Sequence, residues 1–306
     1  MMKIAAYLLT FILSLLPLRA DEKASVQEYF GAMVTSSQNE EWKASIENAE
    51  AILSKFKDTP FAVDAWYYLG ISHYHLGDYD VANRKLSQYL KESTSPKFFE
   101  EALYFKFLVA EKFRDGAKKH MIQWEKSPSI LPAREDAVVI YDEVINTLPF
   151  HELAAKSLFG KAKLQTYFDE YRQAVETLNL LIRRFPKHEL AVEGFLEIAS
   201  IYQKQSKKQQ DPNLLDSAEV NLRRFRQAFP GEGRVEEAKK ILDGMKEIFA
   251  ESLYEIGRFY ERTHKNSAAV IYYTKLMAKF PDTKSAKASQ KRLEKMKKEE
   301  EKTTSK

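Results

Sequence analysis

Apolar residues along this chain recur at helical spacing, in blocks that repeat. The clearest block runs from Ala65 to Leu90. Trp66 and Leu69 share one face of a predicted first helix, and Leu86, Tyr89 and Leu90 share one face of a second. Leu76-Gly77-Asp78-Tyr79-Asp80 forms the turn between them. Gly70 has no side chain to hold the two helices apart, and Ala82 is the small residue expected to meet it. A second gap-free block uses Leu253, Ile256, Gly257 and Tyr260, then Ala269, Tyr273, Leu276 and Phe280-Pro281-Asp282-Thr283. A third places Leu158, Ala162, Ala174, Leu178 and Leu181 around the turn Asp169-Glu170-Tyr171 and ends at Phe185-Pro186. A fourth uses Phe195, Ile198, Ala199, Tyr202, Ala218, Leu222, Phe225 and Phe229-Pro230.

Weaker copies fill the intervals. Tyr29, Ala32, Met33, Trp42 and Ile52 fit a first pair, and the aromatic run Phe98 to Phe113 precedes a second helix with Ala137, Tyr141, Val144 and Leu148-Pro149. The pattern in 65–82 resembles the tetratricopeptide repeat (TPR). That resemblance implies an all-α solenoid, a right-handed superhelix of about six helix pairs whose first helices line a concave groove. The residues expected to build it are Trp66, Leu69, Gly70, Ala82, Ala174, Ala218, Gly257, Ala269 and Pro281. The segment 234–260 reads as one long helix. The solenoid is expected over 21–283, with insertions near 114–132 and 203–213, the latter an extended loop. The Lys-rich tail over 284–306 reads as an amphipathic stretch that fades into 297–306, where it is expected to be solvated or frayed.

The first twenty residues change the picture of where the chain works. Met1-Met2-Lys3 supplies a positive end, Ile4 to Leu16 a short apolar stretch and Leu18-Arg19-Ala20 a cleavage site before Asp21, so 1–20 reads as a signal peptide. Read instead as a retained anchor, the apolar run falls short of the ~20 residues a membrane span needs. The chain is therefore expected to be exported, to the periplasm, peripheral to the outer membrane. With 44% hydrophobic and 30% charged residues it is a folded, helix-compatible sequence rather than a disordered one. The net charge of +4, which removal of Lys3 and Arg19 lowers to +2, gives no excess on the scale of nucleic-acid binding. The absence of cysteine excludes disulfides, thiolate catalysis and a lipid-modified cysteine within these 306 residues.

Outward positions of the first helices put Phe30, Val34, Tyr67, Ile71, Tyr74, Phe159, Lys163 and Tyr167 on the groove, aromatic toward the N-terminus and suited to an extended polypeptide. The other reading of that stripe is packing against neighbouring helices. Toward the C-terminus the same face becomes charged, with Glu193, Lys204, Glu251, Arg258, Glu261 and Arg262. Such a face suits a folded partner, or is a solvated surface laced with intrahelical pairs. The carboxylate-clamp variety of this repeat needs Lys and Asn where Tyr67 and Ile71 stand. His73 and His75 are two apart on one helix and point to different faces, a poor metal pair. His151-Glu152 and His188-Glu189 lack the second histidine of a zinc-protease helix. Gly231-Glu232-Gly233 follows no strand and cradles no phosphate. No catalytic residue, metal or cofactor is expected, and the chain is read as no enzyme.

Asp211-Pro212, Ala218, Phe225, Phe229-Pro230, Phe249-Ala250-Glu251, Gly257-Arg258-Phe259-Tyr260 and Phe280-Pro281-Asp282-Thr283 together resemble BamD, the TPR lipoprotein family of outer-membrane β-barrel assembly. The likeness covers about Leu158 to Ala288. It implies a periplasmic scaffold whose N-terminal repeats meet unfolded outer-membrane proteins and whose C-terminal repeats dock on β-barrel assembly subunits. The sequence departs from that family in having no lipobox cysteine, so outer-membrane association is expected only through protein partners. Extra repeat material precedes the matching region, and Tyr272 stands where many members carry a docking arginine. The other functions this organisation suits are a periplasmic adaptor for cell-wall or division machinery and a chaperone for exported polypeptides.

Overall fold

The computed structural model of the chain describes residues 25–121, 127–209 and 211–304, so the predicted leader over 1–20 lies outside the described residues. Among them are thirteen α-helices: α1 Val26–Gln38, α2 Trp42–Lys55, α3 Pro60–Leu76, α4 Tyr79–Glu92, α5 Phe99–Arg114, α6 Arg134–Thr147, α7 Glu152–Tyr167, α8 Tyr171–Arg184, α9 Glu189–Lys208, α10 Asn213–Ala228, α11 Val235–Arg262, α12 Asn266–Lys279 and α13 Lys284–Thr304. Strands β1 Lys118–His120 and β2 Ser129–Pro132 pair within the insertion between α5 and α6. The fold is the all-α TPR solenoid the repeats predict, six successive helix pairs with α13 following the last. Two compact units divide it, residues 1–109 with 119–130 and residues 110–118 with 131–306.

In the first unit Ser25 and Glu28 close a reciprocal capping box on α1, which satisfies two amide groups the helix leaves open. Met33, Ala49, Ile52, Ala62, Ala65 and Leu69 pack into one core, and Tyr67, Ile71, Leu86, Tyr89 and Ala102 into a second. A Cβ on Gly70 would lie 2.6 Å from Leu86 Cδ2. The side chain received by Gly70 is therefore Leu86 rather than Ala82, which is fully buried one turn earlier. Gly77 ends α3 at φ 89°, a left-handed conformation open to glycine at no steric cost. His120 of β1 hydrogen-bonds Asp80 through Nδ1 at 2.6 Å, and Arg84 donates to the same carboxyl group at 2.8 Å. Burial alone would raise the Asp80 pKa, but these two partners hold it below the usual carboxylate range.

The second unit repeats the same logic. Gly160 and Gly257 sit beneath Tyr141 and Tyr273, each with ring carbons 2.6 Å from where a Cβ would be. Phe195 and Phe225 stack at 5.0 Å between α9 and α10. His151 and His188, weighed above as metal ligands, are N-caps: their Nδ1 atoms accept from Leu153 N at 3.1 Å and Leu190 N at 3.0 Å.

One expectation needs correcting here. The stretch 203–213 is not an extended loop, because α9 continues to Lys208 and α10 starts at Asn213. Nothing before Asp211-Pro212 stops a helix, and Ser206 is fully buried with its hydroxyl donating to Gln203 O at 2.8 Å. The Lys-rich tail, read as an amphipathic stretch, is a docked helix up to Met296 and exposed from 297 to 301. Ala286, Ser289 and Met296 are buried, and the first amides of α13 are all satisfied. Glu247 accepts from Lys284 N at 2.7 Å and Ser285 N at 3.0 Å, while Thr283 Oγ1 accepts from Ala286 N at 3.1 Å. The segment read as one long helix is α11, 28 residues without a break.

Candidate protein-binding faces

The aromatic groove expected in the first unit is largely closed. Tyr67 and Ile71 are each 8% exposed and belong to the core, not to an open face. Tyr67 stacks on Phe98 at 4.4 Å and meets Tyr68 edge-on at 5.4 Å, and burial pushes its hydroxyl pKa well up. Phe30 packs on Phe61 at 4.9 Å and on Tyr68 at 6.4 Å, and Val34 joins the same cluster. The cause is the aromatic run at the start of α5. Phe98, Ala102 and Phe105 pack onto the face of α3 that a projection of isolated repeats leaves open.

Of the predicted positions in this unit, Tyr74 alone joins a partly open aromatic ladder. The His75 ring lies flat on Trp42 at 4.0 Å, Tyr74 meets Phe105 at 5.3 Å, and Phe105 meets Tyr104, which is 46% exposed. Burial lowers the His75 pKa against the opposing pull of Glu40. Trp42, His75, Tyr104 and Phe105 were not read as surface residues. The signal for Tyr104 and Phe105 was the Phe98 to Phe113 run, which places rings on both sides of one helix.

On α7 of the second unit Phe159, Lys163 and Tyr167 follow at intervals of four and share a face. Lys163 Nζ stands 4.9 Å over the Phe159 ring, and the Arg134 guanidinium lies 4.6 Å over Tyr167, which is 60% exposed. Each ring on this face is matched to a cation.

The charged stretch divides. Glu193 is held by Arg234 at 2.6 Å, Lys204 donates to Thr166 O at 3.4 Å, and Glu261 accepts from Arg292 Nε at 3.0 Å and Tyr273 at 2.9 Å. These three hold helices together. Glu251 and Arg262 remain exposed, and Arg258 reaches Glu255 at 3.7 Å. With Ile248, Ser252, Ile256, Phe259 and Tyr260, Glu251 and Glu255 line one shallow cavity along α11. Ile256, expected in the core, is 37% exposed, and Phe259 is 52% exposed. Two apolar side chains one turn apart, flanked by the carboxylates of Glu251 and Glu255, form an apolar centre with an acidic rim. Tyr272 stacks on Tyr260 at 5.4 Å, so the ring replaces the docking arginine with an internal contact.

Leu69, Ala174, Ala218, Gly257 and Ala269 are buried, Trp66 is half-buried beneath Lys85 Nζ at 5.6 Å, and Pro281 is exposed. His73 Nδ1 lies 3.3 Å from Asp78 while His75 stacks on Trp42, so the two histidines serve different partners. No helix among the described residues is long and apolar enough to cross a membrane.

Residues 64–93 match the tetratricopeptide repeat family, and residues 134–306 match the family described as YfiO: outer membrane lipoprotein. None of the curated proteins matches the sequence. Solved structures similar to the chain include the C-terminal part of a TPR repeat-containing protein from Cytophaga hutchinsonii, at 14% identity over 93% of each chain with a TM-score of 0.44. A tetratricopeptide repeat protein from Parabacteroides merdae is similar at 12% identity over 87% of this chain and 97% of that one, TM-score 0.40. YrrB, described as a TPR protein with an unusual peptide-binding site, is similar at 13% identity over 72% of this chain and 94% of that one, TM-score 0.41. The first family match begins within the second helix pair, and the other begins at α6 and takes in more than half of the 306 residues; the chain belongs to the YfiO family of outer membrane lipoproteins.

Proposed function

We propose that this protein is a periplasmic scaffold acting as a BamD-like subunit in the assembly of outer-membrane β-barrel proteins. Protein binding is the common property of TPR scaffolds, and the family match over 134–306 supports the outer-membrane context. The observation that carries the reading is the α11 face, which lies inside the matched region. Ile256 and Phe259 offer an apolar anchor on a rigid helix, and Glu251, Glu255, Arg258 and Arg262 supply a charged rim that selects a folded partner. Phe159, Lys163 and Tyr167 extend the binding surface on α7. In the first unit the ladder around Tyr74 and Tyr104 suits unfolded outer-membrane proteins, because stacking on aromatic rings demands no fixed sequence.

Photo-crosslinkers placed at 259 and 104 in living cells, with mass-spectrometric identification, test both halves. A barrel-assembly subunit is expected from 259 and outer-membrane precursors from 104. Ile256→Asp should lower capture from 259 at least ten-fold, the effect of removing a hot-spot side chain of about 2 kcal/mol. Recovery of cell-wall synthases from 259, with no barrel-assembly subunit, would replace this reading by the adaptor one.

A further inference from the structure

The strongest charged feature outside these faces is on α13. Lys284, Lys287, Lys291, Lys295 and Lys298 follow at steps of three or four, so at about 100° per residue all five fall within roughly 80° of the helix circumference, along about 21 Å of its length. All five are exposed, while Ser285, Ala286, Ser289 and Met296 on the opposite side are buried. The stripe contains no apolar side chain. Lys295 pairs with Glu299 at 3.6 Å, and the ammonium groups of Lys287, Lys291 and Lys298 have no carboxylate partner among the described residues.

An ordinary solvated helix face alternates its charges so that neighbours at i+3 and i+4 attract. Here the four successive steps from Lys284 to Lys298 bring lysine to lysine, and the carboxylates within the same reach, Glu294 and Glu299, flank the row at its C-terminal half, with Lys295 paired to the second of them. The helix nonetheless holds its place. Glu247 binds its first amides, and Glu261 grips Arg292 through two guanidinium nitrogens at 3.0 and 2.5 Å. A repulsive row of charge held straight on a folded body has one simple complement, a plane of anions.

We infer that α13 is an electrostatic contact for an anionic lipid bilayer, its lysines facing lipid phosphodiesters. A peptide site would add apolar pockets beside the charges, and this face has none larger than Ala288. The apolar residues of α13, Leu293 and Met296, face α11 and α12 and the cavity beside Val270 and Ile271, on the side away from the lysines, so the lysine stripe lies on the headgroups and does not insert. Binding is therefore sensitive to salt and to lipid charge. This inference is independent of the protein-binding reading. It gives a chain without cysteine a direct route to the membrane surface.

The test is co-sedimentation of the chain, purified as cells export it, with vesicles of phosphatidylglycerol and phosphatidylcholine in equal parts, against vesicles of phosphatidylcholine alone. Binding to the anionic vesicles should exceed binding to the neutral ones, and the excess should vanish at high salt. The triple variant Lys287→Gln, Lys291→Gln, Lys298→Gln should lose that excess by on the order of a hundred-fold, about a factor of five per lysine. The triple variant Lys57→Gln, Lys187→Gln, Lys207→Gln changes net charge equally on exposed positions elsewhere and should bind as the parent does. Replacement of the same three α13 lysines by arginine should preserve binding, which separates lost charge from a lost fold. Equal losses in both glutamine triples would overturn the inference, as would the lack of any anionic excess. Competition by free glycerophosphate at matched concentration, or tighter binding of poly-glutamate or duplex DNA through the same lysines, would also overturn it.

Discussion

Glycines at helix crossings and histidines at helix starts carry much of the residue-level specification. A Cβ at Gly257 would sit 2.6 Å from Tyr273 Cε1, whereas one at Gly31 would meet nothing within 4 Å. Both lie inside helices, so alanine gains about 1 kcal/mol of helix propensity at each. Gly257→Ala must also displace a buried ring, an overpacking cost of about 1–3 kcal/mol. Urea unfolding should therefore show Gly31→Ala stabilising and Gly257→Ala neutral to destabilising; a clear gain at Gly257 would mean the ring moves freely. The sequence predicted the close approach at Gly70 and Gly257 because glycine has one obvious use at such a step. It did not predict the partner at Gly70, since Leu86 and Ala82 lie on the same helix face one turn apart. The caps at His151 and His188 were also hidden. His-Glu-Leu-Ala occurs twice, but only the backbone shows that the imidazole accepts an amide proton.

Helices rather than residues decide which faces stay open. The periodic pattern placed α3, α4, α11 and α12 and the six pairs, because each long amphipathic block has only one way to bury its stripe. It misjudged Tyr67 and Ile71, since a single repeat does not reveal that α5 covers them. It read the tail as amphipathic, and Ala286, Ser289, Leu293 and Met296 recur at the right spacing for one narrow seam against α11 and α12. The attachment of that helix depends on ionised carboxylates. For Glu247 and Glu261 burial alone would raise the pKa, but the Ser285, Lys284, Arg292 and Tyr273 partners hold both below 4.5. A lowered carboxylate pKa contributes stability that is complete above the unfolded-state value and is lost as the pH falls through the folded one. Amide exchange in α13 should accordingly accelerate as the pH drops below about 4.5, before α9 and α10 open. Equal protection of α13 and α9 at pH 3 would contradict this.

For the whole molecule, two units with their own cores imply two local stabilities rather than one. Met33 is fully buried in the first core. Met33→Ala should cost about 2–5 kcal/mol, and hydrogen exchange should place that loss in α1 to α3 while leaving α11 and α12 protected. A uniform loss throughout would show a single cooperative body. The family relationship was legible at this scale from the Phe229-Pro230 and Phe280-Pro281 endings and the Gly-Arg-Phe-Tyr segment, which mark helix ends and a helix crossing. The binding faces were less legible, because exposure is decided by neighbours distant in the chain.

The carboxylate of Glu247 has one further effect. It lies 37 positions before the backbone amide it receives, so α13 borrows part of its starting point from the middle of α11. The chain therefore completes α11 before it can anchor its last helix. The row of lysines is thereby presented only once α11 is in place. A half-folded chain would lack that address label.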